Sequence, residues 1–101
     1  MKSNDLKISV IEIKGTCPVY RIGQTFYIKD GYILDVKSSA NVCMHSLTSF
    51  LPYYVALSKG VDPASIGLTK DENNKFVYLQ CLDPCIYTNG GTVIFQVEII
   101  E

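Results

Sequence analysis

The chain has 101 residues, 48% hydrophobic and 19% charged, which makes one domain, 1–101, with a real core and excludes intrinsic disorder. Nine basic residues face ten acidic ones for a net charge of -1, and no Lys/Arg cluster stands out, so no nucleic-acid partner is expected. The opening Met-Lys-Ser-Asn-Asp-Leu-Lys lacks the apolar run of a secretion signal, and no stretch is long and apolar enough to span a membrane. These features lead us to expect a cytoplasmic protein with no membrane association, in which cysteines stay reduced.

From the N-terminus, Leu6 to Lys14 alternates and is rich in β-branched residues, which predicts a strand ended by Gly15. Thr16-Cys17-Pro18 opens a loop, because proline biases the residue before it towards extended backbone. Gln24 to Lys29 reads as a second strand, Asp30-Gly31 as a hairpin turn and Tyr32 to Val36 as the returning strand. After a polar loop, 37–41, a helix is expected over about 42–58, with Leu47, Phe50, Leu51, Tyr54 and Leu57 on its apolar stripe. Cys43 falls on that stripe, Pro52 should kink or divide the helix, and Gly60 should stop it. Asp62-Pro63 reads as a cap and first residue of a short helical turn. Lys70 to Lys75 reads as charged and exposed. Phe76 to Leu82 and Thr92 to Ile100 read as strands that pair antiparallel across a turn-rich connection. The fold class is therefore α+β: a mostly antiparallel sheet, or open barrel, with one main helix.

Four cysteines are the distinctive chemistry: Cys17, Cys43, Cys81 and Cys85. In a reducing compartment they suggest a metal site, a redox site or free thiols before a disulfide framework. Cys81-Leu82-Asp83-Pro84-Cys85 places two thiols around a turn. A zinc ribbon, however, needs two such close pairs, and a bacterial ferredoxin needs a denser run. Cys17 in a loop, Cys43 at a helix start and Cys81–Cys85 at a strand end are the metal-ligand candidates, for zinc or an iron–sulfur cluster, with Cys85 the outlying member. The bland alternative is that each cysteine packs as a small hydrophobe. His45 is the single histidine and the default general base, yet a helix turns it away from Cys43. Asp83 is a candidate acid or base, although a turn needs an aspartate anyway. No nucleophile elbow, phosphate loop, dinucleotide fingerprint or HExxH occurs, so whether the protein is an enzyme is left open.

Lys14-Gly15-Thr16-Cys17-Pro18, Ile22-Gly23-Gln24-Thr25-Phe26, a helix led by Cys43 and carrying Pro52-Tyr53 and Ala56-Leu57, and Cys81-Leu82-Asp83-Pro84 occur in that order. The set resembles a family of small bacterial and archaeal proteins with a G-x-C-P opening and a C-P-D-P strand end. The resemblance covers nearly the whole chain. It implies that Cys17, Cys43 and Cys81 belong together, and it brings no activity with it. Gln24 stands where the pattern has aspartate, Leu82 where it has proline, and Cys85 is an addition.

Three functional readings follow. The first is a metal- or iron–sulfur-binding protein using the cysteines. The second is a non-catalytic interaction module, forming a homo-oligomer or serving as a small subunit, with Thr92 to Ile100 as an edge strand open to a partner. The third is thiol redox chemistry between Cys81 and Cys85.

Overall fold

The structure is a computed structural model that describes residues 3–70 and 75–100. Its frame is a five-stranded sheet in the order β3-β2-β1-β5-β4, with every pairing antiparallel. The strands are β1 (Asp5–Gly15), β2 (Thr25–Lys29), β3 (Ile33–Leu34), β4 (Phe76–Gln80) and β5 (Gly91–Ile100). Alternation in the sequence becomes two unlike faces. Leu6, Ile8, Val10, Phe26, Ile28, Val77, Leu79, Val93, Phe95, Val97 and Ile99 point into one buried layer. Their neighbours Lys7, Ser9, Tyr27, Gln96 and Glu98 face the other way, as expected for an antiparallel sheet covered on one side.

The β1–β5 register shifts between Val10 and Glu12. This bulge leaves Ile11 exposed and moves the core-facing parity from Val10 to Ile13 and Gly15. Asp30 and Gly31 both take positive φ, 56° and 85°, which is what a tight turn matched to strand twist requires. The returning strand is only Ile33–Leu34, shorter than the expected Tyr32 to Val36. Beyond it the chain still follows β2: Asp35 and Ala40 donate backbone N–H groups to the Tyr27 and Thr25 carbonyls at 3.0 and 2.9 Å.

The helix expected over 42–58 is two helices, α1 (Met44–Phe50) and α2 (Tyr54–Ser58). Pro52 lies between them, where its missing N–H and its ring break the ladder. Cys43 is not in the first turn; it is the extended N-cap residue, φ -77° and ψ 133°. The break also turns Leu51 off the expected stripe, so that it is 58% exposed while Phe50 and Leu57 are buried. Asp62 caps a 3-10 turn (Pro63–Ile66) through a 3.2 Å bond from the Ala64 N–H. Of the charged stretch between Lys70 and Lys75, both ends are exposed, and 71–74 lie outside the described residues.

Two expectations about the C-terminal half change. The connection after β4 contains a short helix, α3 (Cys85–Thr88). In addition, β5 is not an edge: it lies between β1 and β4, pairing with β4 from Ile94 to Glu98. The edges are β3 and β4, and β4 is partly covered. The Tyr78 N–H donates to the Leu68 carbonyl at 2.9 Å, and the Ser49 hydroxyl donates to the Gln80 carbonyl.

Candidate functional site

The first three cysteines arrive on the buried face of the sheet, at the end where β1 finishes and β5 begins. Cys81 follows β4, and its N–H donates to the Val93 carbonyl at 2.8 Å, so its side chain shares the core face with Val93. Gly91 has the same parity, and a Cβ there would lie 2.6 Å from the Cys17 nitrogen. The Cys17 backbone therefore occupies the space a side chain at 91 would fill. Next to it, the Tyr20 N–H donates to Cys17 Sγ at 3.3 Å.

Tyr20 connects this corner to Cys43. Its ring meets Phe95 edge-on at 5.4 Å, and its hydroxyl is buried beside Ser46 at 2.8 Å. The Ser46 hydroxyl donates to the Cys43 carbonyl at 2.7 Å, which commits its proton. Tyr20 must then be the donor to Ser46 Oγ, while the Cys43 N–H donates to Tyr20 Oη at 2.9 Å. The result is a closed ring of three hydrogen bonds, Tyr20 to Ser46 to Cys43 and back to Tyr20, that satisfies buried polar groups and fixes Cys43 at the mouth of α1. Burial pushes the Tyr20 phenol above its ordinary pKa, partly offset by the hydrogen bond its oxygen accepts from the Cys43 N–H.

Cys85 stands apart. Its N–H donates to Thr92 Oγ1 at 3.4 Å, and Thr92 leaves β5 on the face opposite Val93. The Cys85 side chain packs against β1: a Cβ on Gly15 would stand 3.0 Å from Cys85 Cβ and 3.4 Å from Cys85 Sγ. Asp83 is committed to structure: its carboxylate accepts the Thr88 hydroxyl and its carbonyl accepts the Thr92 hydroxyl. His45 is exposed in the first turn of α1, where its backbone carbonyl accepts from Thr48 at 2.9 Å.

All four cysteines are free thiols. Among the described residues, no three His, Cys, Asp or Glu side chains form a group that could hold a metal ion. Soft thiolates suit zinc or an iron–sulfur cluster in kind, but the positions of Cys17, Cys43, Cys81 and Cys85 do not by themselves form a coordination sphere.

A second feature lies at the other end of the molecule, and sequence reading missed it. A pocket of about 140 Å³ opens between the β2–β3 hairpin and the two helices, lined by Phe26, Ile28, Tyr32, Leu34, Leu47, Phe50, Leu51 and Tyr54. Phe26 and Phe50 are buried beneath it, whereas Tyr32, Leu34 and Leu51 stand exposed at its rim. The sequence signal was present but misassigned: Leu47, Leu51 and Tyr54 were placed on a helix stripe that would be covered.

The chain matches no protein family, no curated protein and no solved structure.

Proposed function

We propose that the chain is a non-catalytic association module that meets other protein through its apolar groove. The observation that carries this reading is the exposed rim. Tyr32 and Leu34 on the hairpin, and Leu51 at the end of α1, all line the pocket and present large apolar side chains to solvent. Scattered apolar residues on a surface are ordinary, but a set gathered around an open apolar pocket marks a contact site. Association through side chains replaces the strand-addition route expected from the sequence, because β5 is internal. A dye that fluoresces on apolar surface should bind the native protein and lose most of its signal with Leu51→Glu, a change at an exposed position that leaves the core intact. Equal fluorescence from the two proteins sinks the reading.

The thiol set supports a second reading. Cys17 and Cys43 come from a loop and a helix entry and both meet Tyr20, while Cys81 follows β4 on the core face beside Val93. As free thiols they are available to zinc or an iron–sulfur cluster. The resemblance to the G-x-C-P family favours the same trio. Loading would have to draw the thiols together, which is tested by anaerobic purification, reconstitution, metal analysis and visible spectroscopy. Stoichiometric metal that disappears in Cys17→Ser and Cys81→Ser is the expected result. Metal-free protein with all thiols titrating after reconstitution excludes it.

A further inference from the structure

The groove needs an occupant, and the chain itself carries one. α3 projects Ile86 and Tyr87 into solvent, 81% and 83% exposed, more than any other large apolar side chains among the described residues. Of the three exposed tyrosines, Tyr32 belongs to the groove and the Tyr78 hydroxyl accepts from Gln96 Nε2 at 3.1 Å. Tyr87 is left as a projecting ring.

The turn that presents it is held from several sides. The Tyr87 N–H donates to the Pro84 carbonyl at 2.8 Å, and the Asn89 N–H to the Cys85 carbonyl at 3.0 Å. The Thr88 hydroxyl donates to the Asp83 carboxylate and itself accepts from the Gly90 N–H at 3.1 Å. The Thr92 hydroxyl closes the loop onto the Asp83 carbonyl. A ring on so constrained a turn loses little freedom on docking, which removes a main cost of association.

The groove matches in size and chemistry. An apolar cavity of roughly 150 Å³ accommodates one benzene ring, and this pocket measures about 140 Å³. It is open at its mouth, so the phenol oxygen can stay at the rim in contact with water. Geometry then dictates the mode. The groove lies by the hairpin at the Leu6–Ile28 end of the sheet, and α3 lies at the Gly15–Gly91 end. The longest dimension of the molecule is 43 Å. Projection and pocket are different surfaces at opposite ends, so the contact between copies is head-to-tail.

We propose that a second copy of this chain occupies the groove, inserting its Tyr87 ring between the hairpin and α1–α2. The proposal rests on the association reading and names its partner. Analytical ultracentrifugation of the full chain should show the sedimentation coefficient rising with concentration. Tyr87→Ser and Leu51→Glu should each sediment as monomers, with native circular dichroism confirming that they fold. Mixed in equal amounts, they should form a dimer and stop, because only one intact ring and one intact groove remain to meet. A native protein that stays monomeric at millimolar concentration overturns the proposal. So does a Tyr87→Ser protein that associates like the native one, or a mixture that stays monomeric while each variant is folded. If the native protein is monomeric yet binds the apolar dye in a Leu51-dependent way, the association reading stands and only self-recognition fails.

Discussion

Phe95→Ala should destabilise the protein by about 4 kcal/mol, the usual cost of emptying a fully buried aromatic site. Phe95 is 0% exposed and occupies the middle of the interior strand β5. Three rings meet it edge-on: Phe50 at 5.0 Å, Tyr20 at 5.4 Å and Phe26 at 6.3 Å. These contacts join the loop before β2, the strand β2 and the helix α1 to one side chain. The cavity cannot collapse easily, since each neighbour is held by its own element, and the edge-to-face contacts vanish along with the buried area. A domain of this size is stable by only about 5–15 kcal/mol, so the loss removes a large share of the total. Urea denaturation followed by circular dichroism measures it. Phe95→Leu should lose distinctly less, because it keeps most of the volume. If the alanine variant unfolds at nearly the native midpoint, this cluster is not the centre of the core.

Gly91→Ala should cost about 3 kcal/mol, for a steric reason alone. Gly91 does not have the positive φ found at Gly15, Gly23, Gly31, Gly60 and Gly67. A Cβ there would instead stand 2.6 Å from the Cys17 nitrogen, 2.8 Å from the Thr16 carbonyl carbon and 3.0 Å from Cys17 Cα. All three are backbone atoms, so no side-chain rotation relieves the clash; the 16–20 segment must move and take Tyr20 with it. Gly23→Ala is the control. Its φ is 94° but nothing lies within 4 Å of the added carbon, so it should cost only about 1–2 kcal/mol of backbone strain. The same denaturation experiment separates the two effects. Equal losses at both positions would mean that the Cys17 loop yields readily.

Much of the fold was legible because it is local. Alternation identified β1, β4 and β5, the Asp30-Gly31 pair identified the hairpin, and Pro52 identified the helix break. The position of β5 was not legible: its apolar alternation is the same whether one neighbour or two flank it, and only β1 returning on its other side decides. The helix in 83–91 was hidden for a related reason. Its turn is held by Asp83, Thr88 and Thr92, and Thr92 reads as an ordinary strand residue. At the site, sequence reasoning grouped Cys17, Cys43 and Cys81 with Cys85 as the outlying member, and no three of these side chains form a metal-holding group among the described residues. It did not foresee Tyr20 and Ser46, because a buried hydroxyl ring is assembled by residues 26 positions apart. The groove was missed because the Leu51 stripe position looked like core until Pro52 rotated it outward.

The covered edge of β4 has a consequence for how assemblies of this protein should behave. With the Tyr78 N–H and the Gln80 carbonyl already engaged by Leu68 and Ser49, this edge offers little template for incoming backbone, and the opposite edge, β3, is only two residues long. Chains that gather through side chains alone stay individually folded. They are governed by mass action, so diluting the solution returns monomers.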